Sequence, residues 1–144
     1  MAKFYGSTFT AAKSGNLPQA TPAPGLAGAK RRSTTEVFTL AAQAAGSLLY
    51  VGTLPAGAVF EAIVLTTSVT LGAATLACGT EASAAKYAAA AVLTAPDAGS
   101  IRAITTGLAQ APLAAPEDVY LLTAAAALPG AGTLVTELRY KTAA

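Results

Sequence analysis

Lys30, Arg31 and Arg32 form the densest run of charge in this chain, directly before its first alternating apolar stretch. Three adjacent cations can bind nucleic-acid phosphates, pair with an acidic groove on a protein partner, or stand solvated in a linker. The run is short and its aromatic neighbours are few, so it offers no stacking platform for bases. Of the two binding readings, a protein partner fits better. Glu117-Asp118 is the only adjacent acidic pair. Paired carboxylates can do acid–base work or hold Ca²⁺, but neighbours on a strand point to opposite faces. The pair reads as a solvated loop before Val119. Cys78 could be a reactive thiol; beside Leu76 in an apolar strand it reads as an inert core residue.

The missing residues narrow the chemistry further. The chain has no histidine, which removes the commonest general base and the commonest transition-metal ligand. With one cysteine and no histidine, neither a zinc site nor a Cys–His or Ser–His nucleophile can be built. No G-x-x-x-x-G-K-[ST] phosphate loop is present. The expectation is a protein that is not an enzyme, holds no metal or cofactor, and works through its surfaces.

Composition supports a packed domain. Hydrophobic residues make up 53% of the 144 and charged residues only 11%, against roughly 45–50% and 25% for ordinary soluble domains. A surface so poor in charge favours burial against other subunits. The net charge of +2 conceals an asymmetry: residues 1–32 hold five basic side chains and no acid, whereas residues 33–144 hold four basic and seven acidic. A basic arm before a mildly acidic body suits an acidic partner surface. The lone Cys78 allows no intrachain disulfide, which fits a reducing cytoplasm. The first residues lack the apolar run of a signal peptide. Ala62 to Thr80 is uncharged and long enough to test as a membrane span, but its threonines and β-branched residues suit strands better. No membrane is expected.

Residues 1–33 read as an extended Pro/Gly/Ala-rich arm, because prolines remove ladder donors and disfavour helix before them. Residues 34–144 read as a β domain. Strands are expected over Thr35–Leu40, Leu48–Val51, Gly57–Leu71, Ala73–Cys78, Tyr87–Leu93, Ile101–Thr105, Glu117–Thr123 and Thr133–Tyr140. Gly57–Leu71 is apolar on both sides, as for a strand buried on both faces, with Ala73–Cys78 as its hairpin partner. In Thr133–Tyr140, Leu134, Leu138 and Tyr140 alternate with Val135, Glu137 and Arg139, so one face packs and the other meets water. Ala88–Ala91 and Ala124–Ala127 favour helix but are too short for one; they read as strand ends or single turns. About eight strands without room for crossover helices give an all-β antiparallel sandwich, best read as a jelly roll. An immunoglobulin-like sandwich is the alternative, without that fold's disulfide and core Trp.

Several strings resemble the head decoration (cement) proteins of tailed bacteriophages: Leu54-Pro55-Ala56-Gly57-Ala58-Val59, Ile63-Val64-Leu65, Leu71-Gly72-Ala73-Ala74-Thr75-Leu76-Ala77-Cys78-Gly79-Thr80, Ala85-Lys86-Tyr87-Ala88-Ala89-Ala90, Asp118-Val119-Tyr120-Leu121, and Gly132 to Tyr140. The resemblance covers about residues 34–142. It implies a structural virion protein, made in the host cytoplasm, that binds the outside of an icosahedral capsid. Its partners would be the major capsid protein and one or two further copies of itself, bridging neighbouring capsomers. The family has no catalytic residues to carry over. Lys30, Arg31 and Arg32 are then the candidate partner-binding residues, fixing where the arm leaves the body. A fibre head or carbohydrate-binding module is the alternative, although such sites use exposed aromatic platforms and this chain has no Trp.

Overall fold

The computed structural model describes residues 2–5, 30–103 and 112–142. Nine strands account for its regular structure: β1 (Lys3–Tyr5), β2 (Lys30–Thr39), β3 (Leu48–Leu54), β4 (Ala58–Thr67), β5 (Thr75–Gly79), β6 (Ala88–Val92), β7 (Ser100–Ala103), β8 (Glu117–Ala124) and β9 (Thr133–Thr142). No helix occurs among the described residues, so none there is long and apolar enough to cross a membrane.

Pairing is nested. β2 pairs with β9, β3 with β8, β4 with β7 and β5 with β6, all antiparallel. That is one long ribbon folded over on itself. The β4·β9 and β5·β8 ladders then close it into two sheets, in the orders β1-β3-β8-β5-β6 and β2-β9-β4-β7. The expected all-β sandwich is present, and its two four-stranded halves have the double-sheet arrangement of a jelly roll, with β1 added beside β3. The sheets pack on a shared core that includes Phe38, Leu49, Phe60, Ile63, Leu76, Leu121, Leu134 and Leu138. Burying one such side chain is worth about 1.5–3 kcal/mol. Phe60 stacks on Tyr87 at 4.5 Å between ring centroids.

β9 follows its period of two: Leu134, Thr136 and Leu138 are buried, and Lys141 is exposed. Three readings need correction. First, Gly57–Leu71 is not one strand buried on both faces. β4 stops at Thr67, and its ladder with β9 shifts register between Phe60 and Ala62. The extra residue resets the alternation, so Phe60 and Ile63 both reach the core although three residues apart. Second, β5 lies in the other sheet and pairs with β6 and β8 rather than with β4. Third, the ladder of β2 starts at Lys30, paired with Thr142, rather than at Thr35. The alanine run 88–91 is strand β6, because a ladder partner outweighs alanine's weak helical preference.

Candidate interaction surface

Strand geometry splits the basic triad. Successive residues of β2 point to opposite faces. Arg31 is exposed on the outer face, its Nη2 2.5 Å from Glu61 Oε1 across the sheet. Arg32 turns inward and is half-buried, and its Nε has no hydrogen-bond partner. The backbone of Lys30 pairs in β2, but its side chain lies outside what the structure describes. The rest of the 1–33 arm between β1 and β2, residues 6–29, also lies outside the described residues. The three cations therefore do not form a single patch.

Around Arg31, the outer face of the four-stranded sheet is charged. Glu137 accepts hydrogen bonds from Arg139 (Nε at 3.0 Å, Nη2 at 3.3 Å), and Lys141 lies in register with Arg31 and with Val59. The Arg139 guanidinium holds the Glu137 carboxyl below its ordinary range. Solvent screens exposed pairs of this kind, so they define charge pattern more than stability. Beyond these charges the face turns apolar in two directions: Val37 faces Val135 further along the sheet, and Val64 and Ile101 continue the row of Glu137 toward the β7 edge. Ile101 is 67% exposed and Val37 40%. No described element covers this face.

The outer face of the five-stranded sheet differs. Leu48, Tyr50 and Tyr120 form a second apolar cluster with Leu122. The Tyr50 and Tyr120 rings sit 5.5 Å apart. Burial pushes the Tyr50 phenol up to about 12. Its hydroxyl meets Thr53, whose own hydroxyl donates to Asp118 at 2.6 Å. Lys3 of β1 reaches over this face: its Nζ is 5.7 Å from the Tyr120 ring centre and 2.7 Å from Glu81 Oε2.

Glu117 and Asp118 lie on strand β8, not in a solvated loop, and they diverge. Asp118 takes the Thr53 hydroxyl. Glu117 pairs with Lys86 at 2.6 Å and accepts the Tyr87 hydroxyl, whose pKa burial pushes up. Both carboxylates are thus committed to structural partners. Among the described residues, no group of three or more His, Cys, Asp or Glu could hold a metal ion. Cys78 is 1% exposed and its thiol is pushed up to about 12 by burial. Its buried, protonated form should be inert. A thiol reagent at neutral pH should leave the folded protein unlabelled and react fully after denaturation; rapid labelling of the native protein would contradict this placement.

Sequence reasoning missed Arg102. It stands on β7 and donates to the carbonyls of Leu76 (2.5 Å), Ala91 and Val92 (both 3.2 Å). It therefore ties the β7 edge of one sheet to β5 and β6 of the other. Nothing in its local sequence signals partners 10 to 26 residues away.

These strands define a jelly-roll sandwich extended by one N-terminal strand. Two solved chains share the fold. A chain in the capsid of Ralstonia phage GP4 is 24% identical with a TM-score of 0.65, the match covering 88% of this chain and 92% of that one. A chain in the cyanophage Pam1 capsid asymmetric unit is also 24% identical, with a TM-score of 0.56 and coverage of 89% and 95%. At this identity the likeness is one of fold. No protein-family model matches the sequence, and no curated protein matches it.

Proposed function

We propose that this chain is a structural protein of a phage virion, a decoration protein that binds the outside of an icosahedral capsid and bridges neighbouring units of the major capsid protein. One observation carries the reading: the fold match to chains of two phage capsids runs nearly end to end in both directions. The matched chains are thus about this size, small for a shell-forming subunit and suited to an accessory one. The lack of histidine and the structural commitment of both β8 carboxylates agree with a role without chemistry.

The docking surface would be the outer face of the four-stranded sheet. Its apolar rows supply contact area, and Arg31, Arg139 and Lys141 meet an acidic surface; Arg31 represents the basic triad on this face, Arg32 being turned inward. The cations alternate with Glu61 and Glu137, which suits a protein surface with its own charge pattern better than a uniform phosphate backbone. Among the described side chains the tyrosine and phenylalanine rings are largely committed to packing; Phe4 is the one ring in the exposed class, at 36%. That leaves little platform for a sugar.

Co-sedimentation with phage heads lacking the protein tests the reading. Saturable binding at a fixed ratio to the capsid protein is expected, weaker at high salt. Replacing Arg31 and Lys141 together with Ala should weaken binding about tenfold at low salt, or about 1.4 kcal/mol. No binding to heads at any salt would sink the proposal.

A further inference from the structure

We infer that β1 is an exchangeable strand: when copies of the protein stand side by side, residues 2–5 of one copy complete the β3 edge of another. The strand is an addition to the fold rather than part of it. The nested ribbon from β2 to β9 is complete without β1, and neither Lys3 nor Phe4 belongs to the main core. It joins through a three-residue parallel ladder, Lys3–Leu48, Phe4–Leu49 and Tyr5–Tyr50, plus a bond from Leu48 N to Ala2 O at 2.9 Å.

Every group that receives β1 belongs to the body: the β3 edge, the Tyr120 ring and the Glu81 carboxylate. Each copy presents the same receptor, so contacts made within a chain can be made equally well between chains. Without a strand there, β3 would expose unpaired N–H and C=O groups beside Leu48 and Tyr50, which are buried. The receptor is therefore incomplete until some copy of β1 fills it.

The connection allows either source. The 24 residues between Tyr5 and Lys30 span up to about 80 Å when extended, more than the width of a body whose radius of gyration is about 13 Å. Because the contacts are identical, the choice rests on effective concentration. A tether holds its own strand at a concentration of order mM. Neighbours at comparable density, in concentrated solution or on a shell, compete on equal terms. Exchange would stitch adjacent copies together by strand addition. It deepens the decoration reading by naming what joins the copies.

The ion pair of Lys3 and Glu81 gives a test on the unmodified protein. Protein labelled with ¹⁴N and with ¹⁵N is mixed and treated with a carbodiimide, which joins an amine directly to a carboxylate. The Lys3–Glu81 cross-linked peptides are then weighed. At about 1 mM protein, with the two labels mixed equally, about half of the docked strands should come from another copy and about half of those should carry the other label, so mixed-isotope cross-links should be about one third as abundant as single-isotope ones and should fade at about 10 µM. Only single-isotope cross-links at every concentration would make β1 a fixed strand of its own chain and overturn the inference. Failure of Lys3 and Glu81 to cross-link at all would overturn it too, since β1 would not dock there. The assay needs no capsid. Exchange without binding to heads would therefore count against the decoration reading alone.

Discussion

Gly79→Ala is expected to cost about 3 kcal/mol, at the upper end of ordinary overpacking. For a chain of this length that lowers the melting temperature by about 6–12 °C. A Cβ built on Gly79 would lie 2.2 Å from the carbonyl oxygen of Ser83 and 2.6 Å from that of Ala84. Both are backbone atoms, so no side chain can swing aside. The Ser83 carbonyl is also engaged, accepting from Thr80 N at 2.9 Å and Lys86 N at 3.2 Å. Moving it would loosen the whole turn between β5 and β6. That turn carries Glu81, the partner of Lys3, and leads into Lys86 and Tyr87, the partners of Glu117. The damage should therefore spread from the clash to the seat of β1. Gly130→Ala is the control, because a Cβ there meets nothing within 4 Å, and it should melt within a degree of the parent. Equal melting of the two variants would show that the 80–86 turn does not lean on Gly79.

The fold was legible where one physical signal dominated. β9 has one neighbour strand on each side, core beneath and water above, so its alternation of Leu134, Thr136 and Leu138 with charged residues reads directly as a strand. The signal failed where a second effect intervened. In β4 the bulge near Glu61 shifts the phase, and a shifted alternation looks like a strand apolar on both faces. In β2, Lys30 to Ser33 read as solvated arm because composition does not reveal a ladder partner. The strand continues because β9 extends as far as Thr142 to receive it. Glu36 was hidden for the same reason: it is fully buried on the face it shares with Phe38 and Leu40, a placement that charge argues against. The candidate surface was legible only as a triad of cations. Its division between the faces of β2, and the joining of Arg31 to Glu61 and its neighbours, depend on register between strands distant in sequence. The Lys3–Glu81 contact is less legible still, since no local pattern connects residues so far apart.

Arg102→Met should lower stability by about 2 kcal/mol, and the loss should be uneven across the molecule. Arg102 is the one described side chain that donates from the β7 edge to the opposite sheet, and it serves carbonyls of both β5 and β6. The Leu76 carbonyl lies where the β5·β6 ladder shifts register between Leu76 and Cys78, a place where strands leave backbone groups without ladder partners. A guanidinium suits this position because its planar fork presents several donors at once and keeps its charge. Partial burial lowers its pKa, but from so high a value that it stays protonated at neutral pH. Methionine keeps much of the apolar stem and removes every donor. Lysine keeps the charge, but a single ammonium cannot replace the fork, so Arg102→Lys should recover little. Amide exchange should accelerate in β6 and β7, which form the two outer edges there, while the β2·β9 ladder keeps its protection. If Arg102→Met melts with the parent and β6 stays protected, then the β5·β6 and β4·β7 ladders alone hold that side of the sandwich closed. The exposed Val92 and Ile101 beside it would then be supported by backbone pairing alone.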